Sequence, residues 1–379
     1  MTLIYLIAGE ASGDVLGARL MAALHARRPD LRFAGIGGER MQAQGLDSLF
    51  PLHELALMGL LEVLPNLRRL KRRLSQTVAD IGQRRPAVVV TIDSPGFTLR
   101  VLRQIAPLGI PRAHYVAPQA WAWRESRVKH FPGLWEKLLC LLPFEPAFFA
   151  RHGLAADFVG HPVLESGADT GDAQRFRARH AIAPEARIVT LMPGSRHTEV
   201  SRLLPVLGET LALLAPRIPH LTPVVAVAEP VAGAVARGIQ SWPGRPIVVT
   251  ELADKHDAFA ASEAALTKSG TSTLELALAG VPMLVTYRVN PITAAIARRL
   301  VKVKYAALVN LLAGHELVPE LIQQASTAPR LAATLATLIT DPDAAKAQRD
   351  GFRTVLDSLR PAQGLPSEAA ADCVLDLIR

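Results

Sequence analysis

Cysteine is almost missing from this chain. Cys140 and Cys373 are the only two among 379 residues, far apart and outside any CxxC or Cys/His cluster. That excludes a disulfide framework and a structural zinc site, and reads as two buried reduced thiols. Nor does any run reach the roughly 20 apolar residues that a membrane-spanning helix needs. The opening run Leu3 to Ala8 is cut off by Gly9-Glu10, which predicts a first strand and not a secretory leader. The expected setting is the cytosol, with the protein either free or resting on a membrane face. Helix-turn-helix, RNP and zinc-finger patterns are absent too, so nucleic acid is not the expected partner. No internal repeat or low-complexity stretch interrupts the chain.

Half of the residues are hydrophobic and a fifth are charged, the balance of a self-folding globular chain long enough for two or three domains. Lys and Arg number 42 against 34 Asp and Glu, a net charge of +8. An excess of that sign favours anionic partners such as phosphates or acidic lipid. Short β-branched runs alternate with helical periods. Strands are predicted at Leu3 to Ala8, Arg32 to Ile36, Ala87 to Ile92, Ala113 to Val116, Lys137 to Leu142 and Asp157 to Val159. After a small, polar stretch from Gly160 to Asp172, read as a linker, the alternation restarts at Ile188 to Met192, Pro223 to Val227, Ile247 to Thr250, Ala264 to Thr267 and Met283 to Tyr287. Uninterrupted apolar strands between helices predict parallel sheets covered on both faces. The fold class is therefore α/β, with two doubly wound Rossmann-like domains, 1–165 and 166–345, facing a cleft. Beyond Leu331 only helical periods remain. In such sheets ligands bind past the carboxyl ends of the strands, which directs attention to the loops.

Five of those loops carry candidate chemistry. Gly9-Glu10-Ala11-Ser12-Gly13-Asp14 follows the first strand, but its glycines do not form GxGxxG, so a dinucleotide fingerprint is not supported. The loop offers either free N–H groups to a ligand, beside Glu10, Ser12 and Gly13, or merely a helix cap by Ser12 or Asp14. In Met192-Pro193-Gly194-Ser195-Arg196, with Glu199 one turn on, backbone donors and a guanidinium fork suit a diphosphate; a capped helix with a solvated arginine is the plainer account. Lys268-Ser269-Gly270-Thr271-Ser272-Thr273-Leu274-Glu275 either forms a capping box between Ser272 and Glu275 or offers the Glu275 carboxylate to ribose hydroxyls. Asp93, at the end of an apolar strand in Ile92-Asp93-Ser94-Pro95-Gly96-Phe97, is either a base whose burial raises its basicity or an Asx turn. The stretch Trp121-Ala122-Trp123-Arg124 brings aromatic faces to a further strand end, for stacking or for packing.

Two basic amphipathic segments stand apart. Leu60, Leu64, Leu67, Leu70 and Leu74 share one stripe while Arg68, Arg69, Lys71, Arg72 and Arg73 crowd the remainder. Arg298, Arg299, Lys302 and Lys304 similarly accompany the apolar positions between Ile292 and Tyr305. Such segments either pack with a solvated basic face or lie on an anionic membrane.

Taken in order, these strings resemble the bacterial lipid-A-disaccharide synthases over nearly the whole chain. GEASGD (Gly9 to Asp14), ERMQAQG (Glu39 to Gly45), MGLLEVL (Met58 to Leu64), IDSPGF (Ile92 to Phe97) and WAWR (Trp121 to Arg124) are followed by LPFE (Leu142 to Glu145) and VGHP (Val159 to Pro162). MPGSR (Met192 to Arg196), SGTSTLE (Ser269 to Glu275), VNLLAG (Val309 to Gly314) and VPELIQ (Val318 to Gln323) complete the series. The resemblance implies a GT-B glycosyltransferase whose second domain holds UDP and whose final helices, 346–379, cross back to the first. It implies transfer from UDP-2,3-diacylglucosamine to 2,3-diacylglucosamine 1-phosphate, with inversion and with neither metal nor cofactor. In its terms Asp93 is the essential aspartate, Arg196 the diphosphate arginine and Glu275 the nucleotide glutamate. Gly194, Ser195, Glu199, Ser269, Gly270, Thr271 and Asn310 join them at the donor, while Glu10, Ser12, Gly13 and Trp123 line the substrate cleft. Arg68, Arg69, Arg72 and Arg73 would meet the anionic inner face of the inner membrane, placing a cytoplasmic enzyme peripherally there; no oligomeric state is fixed. Two departures stand out. Gly96-Phe97 replaces the family's frequent Asp-Phe, and Leu308-Val309-Asn310 its Leu-Pro-Asn. The rivals are a UDP-sugar epimerase on the same two-domain plan and a non-catalytic binder of acidic lipid.

Overall fold

The structure, a computed structural model, describes residues 2–55, 60–123, 125–290, 293–294, 300–301 and 303–378, with the side chains of 60–67 left aside. It divides into two compact units, Met1–Pro162 with Leu359–Arg379, and Val163–Ser358.

The first unit is built on seven strands: β1 (Leu3–Ala8), β2 (Arg32–Ile36), β3 (Asp47–Ser48), β4 (Val88–Ile92), β5 (Arg112–Tyr115), β6 (Lys137–Cys140) and β7 (Asp157–Phe158). They are ordered β3-β2-β1-β4-β5-β6-β7, and every pairing is parallel. Side chains alternate between the faces of a strand. Ile4, Leu6 and Ala8 of β1 therefore meet Val88, Val90 and Ile92 in one core, whereas Tyr5 and Ile7 join Val89 in the other. With helices on both faces no strand position is left for a polar alternation, which is why these runs read as continuously apolar. Helix Ala11–Arg27 covers the first face together with helix Pro366–Leu375, whose Ala370, Ala371 and Val374 are buried in that core. Asp372 is also paired with Arg27 at 2.5 Å. Helix Pro95–Ile105 and the later turns of helix Leu60–Arg84 cover the second face.

The second unit has β8 (Arg187–Met192), β9 (Leu221–Ala226), β10 (Ile247–Val249), β11 (Ala264–Lys268), β12 (Met283–Tyr287) and β13 (Glu320–Ile322), again all parallel and ordered β10-β9-β8-β11-β12-β13. In each sheet the strand order reverses beside the first strand, between β1 and β4 and between β8 and β11. Loops diverge at such a switch point and open a crevice.

Several sequence expectations need correction. β3 and β13 were not foreseen, because neither edge strand carries an apolar run. The polar stretch before helix Ala173–Arg179 is no free tether. Its Asp172 caps that helix and donates its own backbone N–H to Asp257, and Gly171 lies so close to the His256 carbonyl that a Cβ would sit 1.9 Å from it. Of the final helices, Pro342–Ser358 belongs to the second unit, where Gln348 bonds to the Met283 N–H and carbonyl and where Phe352 and Val355 are buried. Only the segment from Leu359 onward joins the first. Half of the basic segment Ile292 to Tyr305, with Arg298, Arg299 and Lys302, falls outside the described residues. No helix among the described residues is long and apolar enough to cross a membrane. Both thiols are free, Cys140 buried and Cys373 half-buried, and burial raises each above the ordinary thiol range.

Candidate active site

At the carboxyl end of β4 two consecutive residues adopt left-handed backbone, Asp93 at φ 50° and Ser94 at φ 48°. Few side chains tolerate this region, aspartate more readily than most. The turn is held by Thr98, whose hydroxyl donates to the carbonyls of Asp93 and Ser94 at 2.8 and 3.0 Å. The Asp93 carboxylate accepts the neighbouring Ser94 N–H at 2.7 Å, and the N-cap residue of helix Pro95–Ile105, Ser94, makes no side-chain cap bond. Asp93 is half-buried, and burial raises its carboxyl above the usual carboxylate range against the opposing pull of that N–H.

The loop after β1 lies directly beside it. A Cβ on Gly9 would come within 2.1 Å of Ser94 Cβ, so only glycine permits this approach. Glu10 occupies the N-cap position of helix Ala11–Arg27 without a side-chain cap bond, and Ser12 is exposed. Gly13 is buried against Ala8 and Ile92, where it serves helix-to-strand packing. Asp14 caps no turn of its own helix; it accepts the N–H groups of Gly38, Arg40 and Met41. Gly96 is exposed and has open space around its α-carbon, so the departure there disturbs no packing.

The aromatic loop is anchored by a residue that sequence reasoning passed over. Glu145 is 3% exposed. It accepts the Trp121 indole N–H at 2.9 Å and the Leu141 and Leu142 N–H groups at 3.0 Å each. Trp121 packs edge-on to Phe144, while Trp123 is 40% exposed. The next residue, Arg124, lies outside the described residues.

In the second unit the loops after β8, β9, β10 and β11 surround a pocket of about 360 Å³. Its lining includes Gly194, Ser195, Thr250, Lys255, Lys268 and Thr271. Gly194 (φ 113°) leaves no room for a side chain, since a Cβ would sit 2.4 Å from Glu199 Oε2. Glu199 itself is 6% exposed and does not offer a free carboxylate to a donor. It accepts the Ser195 N–H at 3.1 Å and the Lys268 ammonium at 3.4 Å, with Arg196 Nη1 at 3.8 Å. Arg196 is exposed. No capping box forms at Glu275: Thr271 takes the N-cap position without a side-chain bond, and both Glu275 oxygens are held by Lys255 Nζ at 3.1 and 3.2 Å.

Asn310 departs furthest from expectation. It is fully buried and its amide is used internally, donating to the Val318 carbonyl and Glu320 and accepting the Leu317 and Val318 N–H groups, all at 2.8 Å. Glu320 also accepts the N–H groups of Ala306 and Ala307, and Ser269 donates to the Ala306 carbonyl at 2.6 Å. Asn310 therefore fixes the backbone beside Ser269 and does not reach a ligand.

On helix Leu60–Arg84 the four expected surface arginines divide. Arg68 and Arg72 are exposed, whereas Arg69 is half-buried. Arg73 is withdrawn: its Nε donates to Glu54 at 2.8 Å, Nη1 donates to Gln76 at 2.7 Å, and the guanidinium lies over the Phe50 ring. Among the described residues no cluster of three or more His, Cys, Asp or Glu could hold a metal.

The chain matches the family model described as lipid-A-disaccharide synthetase over residues 4–374. A lipid-A-disaccharide synthase from Granulibacter bethesdensis is 60% identical, over 99% of this chain and 98% of that protein. Those of Gluconobacter oxydans and Rhodospirillum centenum are 59% and 51% identical, each over 99% of this chain and over 90% and 94% of theirs. Among solved structures, Acinetobacter baumannii MurG has a TM-score of 0.60 at 14% identity, covering 99% of this chain and all of that one. A UDP-GlcNAc 2-epimerase from Neisseria meningitidis reaches 0.66 at 13% identity, with coverage of 99% and 100%. These last two likenesses concern the fold alone, which is the GT-B class. The family model and the full-length relatives carry the assignment: this chain belongs to the lipid-A-disaccharide synthetase family of glycosyltransferases.

Proposed function

We propose that the chain transfers the 2,3-diacylglucosamine unit of UDP-2,3-diacylglucosamine to the 6-hydroxyl of 2,3-diacylglucosamine 1-phosphate, forming a β-1,6 bond and releasing UDP. The observation that carries this reading is the 60% identity, end to end, with a lipid-A-disaccharide synthase. An α-linked donor that becomes a β-linked product inverts at the anomeric carbon, and inversion in one displacement calls for one base. Asp93 is assigned that role. It takes the acceptor proton as the oxygen attacks, a contribution typically worth about 10²- to 10⁴-fold. Its raised basicity and its fixed left-handed turn support the assignment. Arg196 and the backbone donors near Gly194 and Ser195 meet the negative charge that grows on the departing diphosphate, so the mechanism assigns no step to a metal. Glu275, held by Lys255, accepts ribose hydroxyls.

The reading is tested with both acylated substrates. Disaccharide 1-phosphate and UDP should form in equal amounts, whereas turnover of UDP-N-acetylglucosamine alone would move the chain to epimerase chemistry. Asp93→Asn should retain UDP affinity and lose at least about 10² in turnover. Asparagine accepts the left-handed backbone and the Ser94 N–H equally well, so near-normal turnover in this variant removes Asp93 from the role of base.

A further inference from the structure

Lys268 lines the pocket of the second unit, and its ion pair with Glu199 is left unused by the proposed mechanism. Lys268 is the last residue of β11, at the switch point beside β8, and its side chain is 22% exposed. Its ammonium reaches Glu199 Oε1 at 3.4 Å, well beyond the roughly 2.7–2.9 Å of a good ammonium-to-carboxylate bond. Lys255, by comparison, holds both oxygens of Glu275 at 3.1 and 3.2 Å. An ammonium has three donors, and this one lies over Gly270, 3.2 Å from where a Cβ would be. Both Gly270 and the φ of 153° it adopts keep that space clear of side chains.

Glu199 draws the loops together. Its buried carboxylate gathers the Ser195 N–H from the β8 loop, the Lys268 ammonium from the β11 loop, and Arg196 at longer range. Donors that converge on a carboxylate suit phosphate oxygens equally well. We propose that Lys268 is a second cation for the donor's diphosphate, parked on Glu199 in the unliganded protein and transferred to a phosphate oxygen when the nucleotide binds. The inference rests on reading this pocket as the UDP site. In the exchange the Lys268-to-carboxylate contact is replaced by a Lys268-to-phosphate contact, while Glu199 keeps the Ser195 N–H and so holds the β8 loop in place.

Calorimetry on the full chain with uridine, UMP and UDP tests this. The parent should bind UDP more tightly than uridine. Lys268→Met, which removes charge but keeps length, should lose about tenfold or more in UDP affinity and little in uridine affinity, and Lys268→Arg should recover most of the loss. Equal losses for uridine and UDP would make Lys268 a structural pair only, and no loss would remove it from the pocket's chemistry. A measurement on the parent decides the matter even where the Met variant does not fold. Acylation of Lys268 by an amine-reactive reagent, read by mass spectrometry, should be suppressed by saturating UDP and not by saturating uridine; equal labelling with both overturns the proposal. If the parent itself does not distinguish UDP from uridine, the reading of the pocket falls, which is separable from a failure of Lys268 alone.

Discussion

Two adjacent left-handed residues, each of a kind that costs about 1–3 kcal/mol, persist only where the surroundings over-determine them, and at Asp93 and Ser94 it is Thr98 that does so. Glu145 bears a different burden. Burial pushes its carboxyl up to about 7 in spite of its three donors, against about 4.3 in an unfolded chain. Below the unfolded value both states are protonated and the group contributes nothing. As pH climbs, the unfolded chain loses a proton that the folded protein still holds, so stability falls until pH passes about 7 and is then level. Chemical unfolding of the parent and of Glu145→Gln between pH 4 and 8 should show the difference in stability shifting against the parent by on the order of 3 kcal/mol. A flat difference would mean that the carboxyl titrates normally. Asp93 stands out in the sequence because it follows an apolar strand directly, and Arg196 because it lies in the loop that follows another. Lys268 is itself the last residue of an apolar strand, and the signal was there to be used. Lys255 was not legible, since only the return of helix Leu252–Ala261 brings it to Glu275. Asn310 and Glu199 were legible as residues but misread in role. A motif letter does not reveal whether an amide or a carboxylate is already satisfied from within.

Loops, strands and helices carry the next level of specification. The β1 and β4 loops touch through Gly9 and Ser94, and a methyl group at Gly9 would overlap Ser94 Cβ. Gly9→Ala should cost about 1–3 kcal/mol, in the range of other overpacked sites, and lower turnover by displacing Asp93. Ser94→Gly in the same chain should restore much of both, because glycine removes the clashing atoms and suits φ 48°. Urea unfolding and turnover of the single and double variants check the pair; a Gly9→Ala variant as stable as the parent would show that the loops do not meet. Apolar periodicity located most strands to within a few residues, since burial on both faces leaves a clear trace in sequence. It could not find β3 or β13, which are short edge strands without an apolar run. Nor could it say which arginines on helix Leu60–Arg84 remain available, because Glu54 and Phe50, which withdraw Arg73, come from a separate turn of chain.

At the scale of the whole molecule, the expected contact with an anionic bilayer is a proposal that the net charge of +8 supports, and the exposed Arg68 and Arg72 are where it can be tested. Arg68→Ser with Arg72→Ser should weaken binding to vesicles rich in anionic lipid by up to about 2 kcal/mol, at about 1 kcal/mol per cation, and leave the melting temperature unchanged. Vesicle sedimentation identical to that of the parent at low salt would place the membrane contact elsewhere. Two parallel-sheet units and their approximate boundary were readable from the restart of the strand-helix alternation. The exact share of the C-terminal helices was not, because helical periods do not record which sheet a helix covers. That share matters during synthesis. The second unit is one continuous stretch, Val163–Ser358, but the first is completed only by Leu359–Arg379. At about 5–20 residues per second, a ribosome needs roughly 10–40 s to make the intervening segment. Throughout that interval the emerged first unit lacks the helix that buries Ala370, Ala371 and Val374 beside Ile4, Leu6 and Val90, leaving an apolar groove open to chaperones and to neighbouring nascent chains.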